Sequence, residues 1–476
     1  MTSIRIRNFL LIAASLLYAQ AADGLSVRDD SNSTWTELSW DTLQPSKDLQ
    51  WVDCYSNGLQ CARLQVPLNY HDADGGQSAI IALTRLPANV SHDSPDYRGP
   101  ILFNPGGPGE SGVDLIRLKG PTLRQTLGPQ FDLVGFDPRG VQRSFPRFEF
   151  YKTPVDRLLN YHPPTELNNS LTDTVASYWA ETKIMGSLAY ERGKEYMPYL
   201  NTDHSARDML RIVQAHGREK IQYWGFSYGS VLGYTFASMF PDKVERLVID
   251  GVVDIDLYYQ TKWLESLEDV EKTLQWFFDS CHQAGRDHCA FYEDSPEAIR
   301  NKLEGIYANL INHPIPVQSP TNGSHYTVVD YAQVRGLIFN ALYQPFKTWS
   351  GLAEGLQALA EGNATEFYTK MLEAPPFECD CDLGKHKFDK NPEALSGYAC
   401  NDGDPVPPDF ESALKHYEES VKLSSFGSIW AGIRIACNGW SSDIPKADFR
   451  GPITGNTSFP LLMIGNTADP VTPLSA

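Results

Sequence analysis

The chain has 476 residues, with 40 Lys and Arg against 59 Asp and Glu, a formal net charge of −19. So acidic a protein repels nucleic acid and anionic membrane surfaces, while its length allows a large core and more than one domain. No basic patch, Gly-rich phosphate loop, paired C-x-x-C or H-E-x-x-H spacing occurs, so neither a cofactor nor a metal is expected.

Residues 1–21 carry Arg5 and Arg7, an apolar run from Phe9 to Tyr18, and then Ala19-Gln20-Ala21. That is the layout of a signal peptide with an A-x-A cleavage site, too short to span a bilayer. Its removal takes away two arginines and no acid, moving the net charge from −19 to −21. Six N-x-[S/T] sequons, at Asn32, Asn89, Asn168, Asn322, Asn363 and Asn456, suit a glycosylated, secreted protein. Eight cysteines in an oxidising compartment point to disulfides. Cys54 and Cys61 flank the Asn57-Gly58 turn, and Cys281 and Cys289 flank Gly285, so both pairs are expected to form local bridges. For Cys379, Cys381, Cys400 and Cys437 the connectivity stays open.

Strands are predicted at Ile80 to Leu86, Ile101 to Asn104 and Leu133 to Phe136. Met209, Ile212 and Val213 repeat at helical spacing before a short apolar strand, Ile221 to Trp224. A helix over Ser230 to Phe240 ends at Pro241, and further strands follow at Leu247 to Ile249 and Leu461 to Ile464. Short apolar runs separated by amphipathic helices argue for a mostly parallel sheet with helices on both faces. From about Asp254 to Cys437 the texture changes to helices broken by Pro- and Cys-rich loops, which reads as a large insertion. The expected organisation is a signal peptide (1–21), an α/β core in two parts (22–253 and 438–476), and a helical insertion (254–437).

Between the Ile221 strand and its helix stands Gly225-Phe226-Ser227-Tyr228-Gly229, a G-x-S-x-G pentapeptide. A serine on so sharp a strand-to-helix turn has its hydroxyl exposed above the sheet, as a nucleophile requires. Asn104-Pro105-Gly106-Gly107-Pro108-Gly109 also follows a strand, and its consecutive glycines let backbone N–H groups approach a reacting carbonyl oxygen. With the N–H of Tyr228 they form a candidate oxyanion hole; the competing reading is a plain glycine turn. Asp469 follows the Leu461 strand and is placed to orient a histidine, with Asp250 as its rival.

These residues resemble a known family. "GPILFNPGGPGESG" at 99–112 is similar to the oxyanion loop of secreted tripeptidyl aminopeptidase-like α/β-hydrolases, in the prolyl aminopeptidase family of serine peptidases. Asp137-Pro138-Arg139-Gly140 resembles that family's D-P-R-G loop, "YWGFSYGS" at 223–230 its nucleophile elbow, and "NTADPVTP" at 466–473 its acid loop. "QCARLQVPLNY" at 60–70 and "ACNDG" at 399–403 fit as well. The resemblance implies the α/β-hydrolase fold, Ser227 as nucleophile, Asp469 as acid, and the N–H groups of Gly107 and Tyr228 as oxyanion donors. It also implies that the insertion is a lid shaping the substrate site, and that the substrates are peptide N-termini. An aminopeptidase needs a partner for a free ammonium, for which Glu110 and Asp402 are the candidates.

Two departures from the family pattern stand out. Gln142 occupies a position where the family has glycine, so that loop is expected to differ. Family members also continue past the acid loop to a strand and a loop with the catalytic histidine, whereas no histidine here follows His416. The resemblance thus implies that the last strand, helix and catalytic histidine are missing and that the chain as written is inactive. Three functions compete: a secreted serine exopeptidase acting through an acyl-enzyme on Ser227, a secreted carboxylester hydrolase on the same fold, and a catalytically inactive product.

Overall fold

The computed structural model describes residues 40–475 apart from 56–57, 73–75, 161–162, 169–173, 320–325 and 373–391. The signal peptide, Asn32, Asn322, Cys379 and Cys381 lie outside the described residues. Contacts divide the described chain into a sheet unit (residues to 268, those from 392 to 465, and 471–475) and a helical unit (269–372 with 466–470).

The sheet unit is built on eight strands: β1 (Val52–Asp53), β2 (Gln60–Pro67), β3 (Ser78–Leu86), β4 (Gly99–Asn104), β5 (Phe131–Asp137), β6 (Ile221–Phe226), β7 (Val244–Asp250) and, after the β8–β9 hairpin of the helical unit, β10 (Leu462–Ile464). Their spatial order is β1-β2-β3-β5-β4-β6-β7-β10. Strands β1, β2, β3 and β5 pair antiparallel, and β5, β4, β6, β7 and β10 pair parallel. Every residue of β4 is buried, which is why it reads as an apolar run without alternation: a central parallel strand is covered on both faces. At the other extreme, Leu462 and Met463 of β10 are more than half exposed at the sheet's edge.

Helices cross over between the parallel strands. Helix Gly112–Leu127 starts at Ser111, whose hydroxyl accepts the Asp114 N–H, and Asn201 caps Thr202–Ala215 by accepting from His204 N. Met209, Ile212 and Val213 form the buried face of that second helix, as their spacing predicts. Strand register brings Phe226, Asp250 and Ile464 level at the carboxyl ends of β6, β7 and β10, with Asn104 of β4 opposite Gly225 one residue before; this is the end at which parallel α/β sheets place their ligands.

Residues 392–437 pack in the sheet unit. Ala413, Ala431 and Ile435 share a core with Val175 and Tyr178 of helix Thr174–Gly193. The helical unit carries its own helices, among them Val270–Ala284, Pro296–Asn312 and Pro345–Ala360, and the hairpin β8 (Ile315–Gln318) with β9 (Tyr326–Val329). Disulfides join Cys54 to Cys61, Cys281 to Cys289, and Cys400 to Cys437, the last resolving one pairing that the sequence left open. Such bonds fit an oxidising compartment. Of the sequon asparagines, Asn89, Asn363 and Asn456 are exposed and Asn168 is half-buried. Among the described residues, no helix is long and apolar enough to cross a membrane.

Candidate active site

Ser227 stands between β6 and the helix Tyr228–Met239, with φ 54° and ψ −120°. A non-glycine residue in this left-handed region is strained and persists only where its surroundings hold it. Here they do: Ser227 N–H donates to the Asp250 carbonyl at 2.9 Å, and the Ser227 carbonyl accepts from both the N–H and the hydroxyl of Ser230. Gly225 lets the chain turn so tightly, because a Cβ there would lie 2.3 Å from the Gly229 carbonyl oxygen. The Ser227 hydroxyl is half-buried and makes no hydrogen bond among the described residues.

The Gly-rich loop lies against this elbow. A Cβ on Gly106 would be 2.9 Å from the Ser227 Cβ and 3.2 Å from the Tyr228 nitrogen. Its own N–H is taken by the Asn104 side chain at 2.9 Å, so Gly106 supplies proximity rather than a donor. The Gly107 N–H, by contrast, has no acceptor among the described residues, and Tyr228 opens its helix, where an N–H has no intrahelical partner. A tetrahedral oxyanion on Ser227 would need unengaged donors of this kind within reach.

Tyr228 is held from below. Its phenol meets Thr202 Oγ1 at 2.6 Å; Thr202 Oγ1 donates to Asp402 Oδ2 at 2.6 Å, and Tyr258 OH donates to the same oxygen at 2.7 Å. Asp402 Oδ1 accepts the Thr202 N–H. Asp402 is therefore not a partner for a substrate ammonium as expected: it is fully buried, and both its oxygens are engaged with protein donors. Burial pushes its carboxyl above the usual range. Glu110, the other candidate, is half-buried next to the Gly-rich loop.

Asp469 is buried, and Asn466 Nδ2 donates to its Oδ2 at 3.1 Å. It belongs to the stretch 466–470 that groups with the helical unit. Its rival Asp250 gives its backbone carbonyl to Ser227 and its Oδ2 to the Trp224 indole N–H at 3.2 Å. Among the described residues no histidine is hydrogen-bonded to Ser227. His204 lies between the Tyr70 and Tyr199 rings with Nδ1 on Asn201, and burial together with Arg139 lowers its pKa to about 2. His416 is likewise buried and lowered to about 3.

The D-P-R-G loop is a structural anchor. Arg139 is fully buried, with Nε and Nη2 forking onto Asp208 at 2.7 and 2.6 Å and Nη1 on the Leu68 carbonyl. A cation taken wholly out of water requires such complete pairing. Gln142 keeps a positive φ of 33° where glycine would rest more easily, and its Oε1 accepts from Arg143. Among the described residues no group of three His, Cys, Asp or Glu is placed to hold a metal. Sequence reasoning passed over Thr202 and Tyr258, which carry no motif; their importance comes only from partners distant in the chain.

A model of the alpha/beta hydrolase fold family matches residues 99–287. The chain is 26% identical over 449 residues to "Serine protease Hip1" of Mycobacterium tuberculosis, covering 90% of this chain and 81% of that protein. It is 33% identical over 219 residues to "Tripeptidyl aminopeptidase" of Streptomyces coelicolor, covering 43% of this chain and 38% of that one. "Carboxylesterase B" of Mycobacterium tuberculosis is 26% identical over 425 residues, covering 87% and 76%. With the sheet order and the serine elbow, the chain has the α/β-hydrolase fold, and the proteins it is similar to are named as a serine protease, an aminopeptidase and a carboxylesterase.

Proposed function

We propose that this protein is a secreted serine exopeptidase that releases short peptides from peptide N-termini. The observation that carries the reading is the strained Ser227 with its unbonded hydroxyl and Gly106 packed against it; the unengaged N–H groups of Gly107 and Tyr228 are the proposed oxyanion donors. In the reaction, Ser227 Oγ attacks the scissile carbonyl and gives its proton to a general base, which later returns it to the leaving amine; Asp469 is the carboxylate the resemblance assigns to orienting such a base. The oxyanion gathers the two N–H groups, the amine leaves, and water releases the acyl group from Ser227. Similarity to a tripeptidyl aminopeptidase supports the choice of peptide N-termini. Three disulfides and the signal-like leader support secretion, and the exposed sequons Asn89, Asn363 and Asn456 are proposed to be glycosylated. The second reading, a carboxylester hydrolase, draws on the similarity to carboxylesterase B, since one nucleophile serves both bonds.

The test is covalent labelling by a fluorophosphonate together with turnover of tripeptide anilides and of short p-nitrophenyl esters. Ser227→Ala is expected to abolish labelling and to lower turnover by several orders of magnitude. Labelling that persists in this variant overturns the nucleophile assignment. Faster turnover of esters than of anilides moves the function to the second reading.

A further inference from the structure

Asn104, the last residue of β4, is fully buried and sits in register with Gly225, two residues before Ser227. Its Oδ1 accepts the Gly106 N–H at 2.9 Å. The same oxygen lies close to the first turn of the helix Tyr228–Met239. A Cβ on Gly229 would be 3.1 Å from it and 2.8 Å from the Asn104 carbonyl oxygen. One neutral amide thus stands between the Gly-rich loop and the backbone that follows Ser227.

The loop needs such a tie. Gly106 and Gly107 have φ values of 106° and 107°, and adjacent glycines have the widest choice of backbone angles of any pair. The peptide unit between them is planar and trans, so its carbonyl and its N–H point in opposite directions. The Gly106 carbonyl accepts the Glu110 N–H at 3.3 Å, a long bond. Were this unit to turn over, the Gly107 N–H would point to the side where the carbonyl now lies, and glycine raises no steric bar to that. The shorter bond from the Gly106 N–H to Asn104 fixes the residue from which the unit turns. Its burial makes it costly to break, since donor and acceptor would both be left unsatisfied.

We infer that Asn104 is a positioning residue for the oxyanion site: by holding Gly106 against the elbow, its amide keeps the Gly107 N–H turned as a donor to the tetrahedral intermediate. The inference rests on the serine-hydrolase part of the function proposed above, with Ser227 as nucleophile. Asparagine suits the place because its amide accepts the bond without a charge. Aspartate makes the same kind of turn but would bring a negative charge next to a forming oxyanion.

Asn104→Ala removes the acceptor, and Asn104→Ser puts back a shorter one, since a serine hydroxyl also accepts from the N–H two residues on. Each full-length protein is reacted with a fluorophosphonate, and both the rate and the final fraction labelled are followed. Removing an oxyanion donor outright costs roughly 10²–10³ in rate. Asn104→Ala loosens one, so it is expected to label about tenfold or more slowly while reaching the same final fraction. Asn104→Ser should recover most of that rate. Hydrogen exchange gives a readout free of catalysis: the amides of residues 106–110 should exchange faster in Asn104→Ala and slow again in Asn104→Ser. An unchanged rate, a loss of rate matched by an equal loss of labelled fraction, a serine variant no faster than the alanine one, or unchanged exchange in Asn104→Ala overturns the assignment. Failure of the hydrolase reading shows separately, as absence of labelling in the unaltered protein; with no oxyanion to hold, the positioning role falls with it.

Discussion

The Thr202 hydroxyl lies 2.6 Å from the Tyr228 phenol and 2.6 Å from the Asp402 carboxylate. Protons run one way along this line, from Tyr228 to Thr202 to Asp402, with Tyr258 donating from the other side. The residue so tethered is the one whose backbone N–H is the proposed oxyanion donor, which makes Thr202 a positioning residue. Thr202→Val keeps the shape and removes the link, leaving the Tyr228 phenol without an acceptor in a buried site. The expected cost is about 1–3 kcal/mol of stability. Because oxyanion donors act in the transition state, kcat should fall about tenfold or more while KM changes little. Steady-state kinetics on a tripeptide anilide check this, and Thr202→Ser should restore most of the rate. An unchanged kcat, or equal effects on kcat and KM, refutes the positioning role.

At the scale of elements, the serine elbow was legible because everything that defines it is local. A short apolar strand, a glycine that admits a carbonyl at 2.3 Å, and an apolar helix follow one another within a few residues. The parallel strands were found for the same reason; most are slightly longer in the structure than the apolar stretch, since β4 begins at Gly99 and β7 at Val244, while β10 begins one residue later, at Leu462. Strand β2 was noticed only as a familiar sequence, although Arg63 and Gln65 alternate with buried Leu64 and Val66 in the period-two pattern of a strand. Asp402 was misjudged because nothing near it in sequence reveals its setting. Its hydrogen-bond partners Thr202 and Tyr258 lie 200 and 144 residues away. In the Gly-rich loop the glycines were legible as a group, but the division of labour between Gly106, which fits against the elbow, and Gly107, whose N–H stays unengaged, depends on where Asn104 sends its side chain.

For the whole molecule, buried titratable groups set the response to acid. His204 and His416 have folded pKa values of about 2 and about 3, and burial also lowers His216. In the unfolded chain each histidine takes up a proton near 6.5, so acidification feeds the unfolded state first. Their contribution is complete above about pH 6.5 and drains as the pH falls toward 3, by about 1.4 kcal/mol per pH unit for each histidine. Asp137, Asp208, Glu393 and Asp402 act in the opposite sense, since burial raises their carboxyls and lets the native state bind those protons first. Replacing His416 by Gln should therefore shift the slope of the urea midpoint against pH between 6.5 and 4.5 by about one proton's worth, in the direction of greater stability toward acid. A slope unchanged by this substitution refutes the assignment.

The bond between Cys400 and Cys437 bears on how firmly the residue after Ser227 is held. Cys400 lies in the helix Glu393–Asp402, whose final residue is Asp402, and the bond ties that helix to the turn Ala436–Gly439. A newly made, still reduced chain has its serine elbow encoded in place but lacks the clasp next to the carboxylate that steadies Tyr228. Forming this bond then fixes the helix end that carries Asp402, and through Thr202 the tyrosine next to Ser227. Protein carrying Cys400→Ser and Cys437→Ser should retain its secondary structure by circular dichroism yet react more slowly with a fluorophosphonate than the oxidised form; equal rates would show that the bond does not act on Ser227.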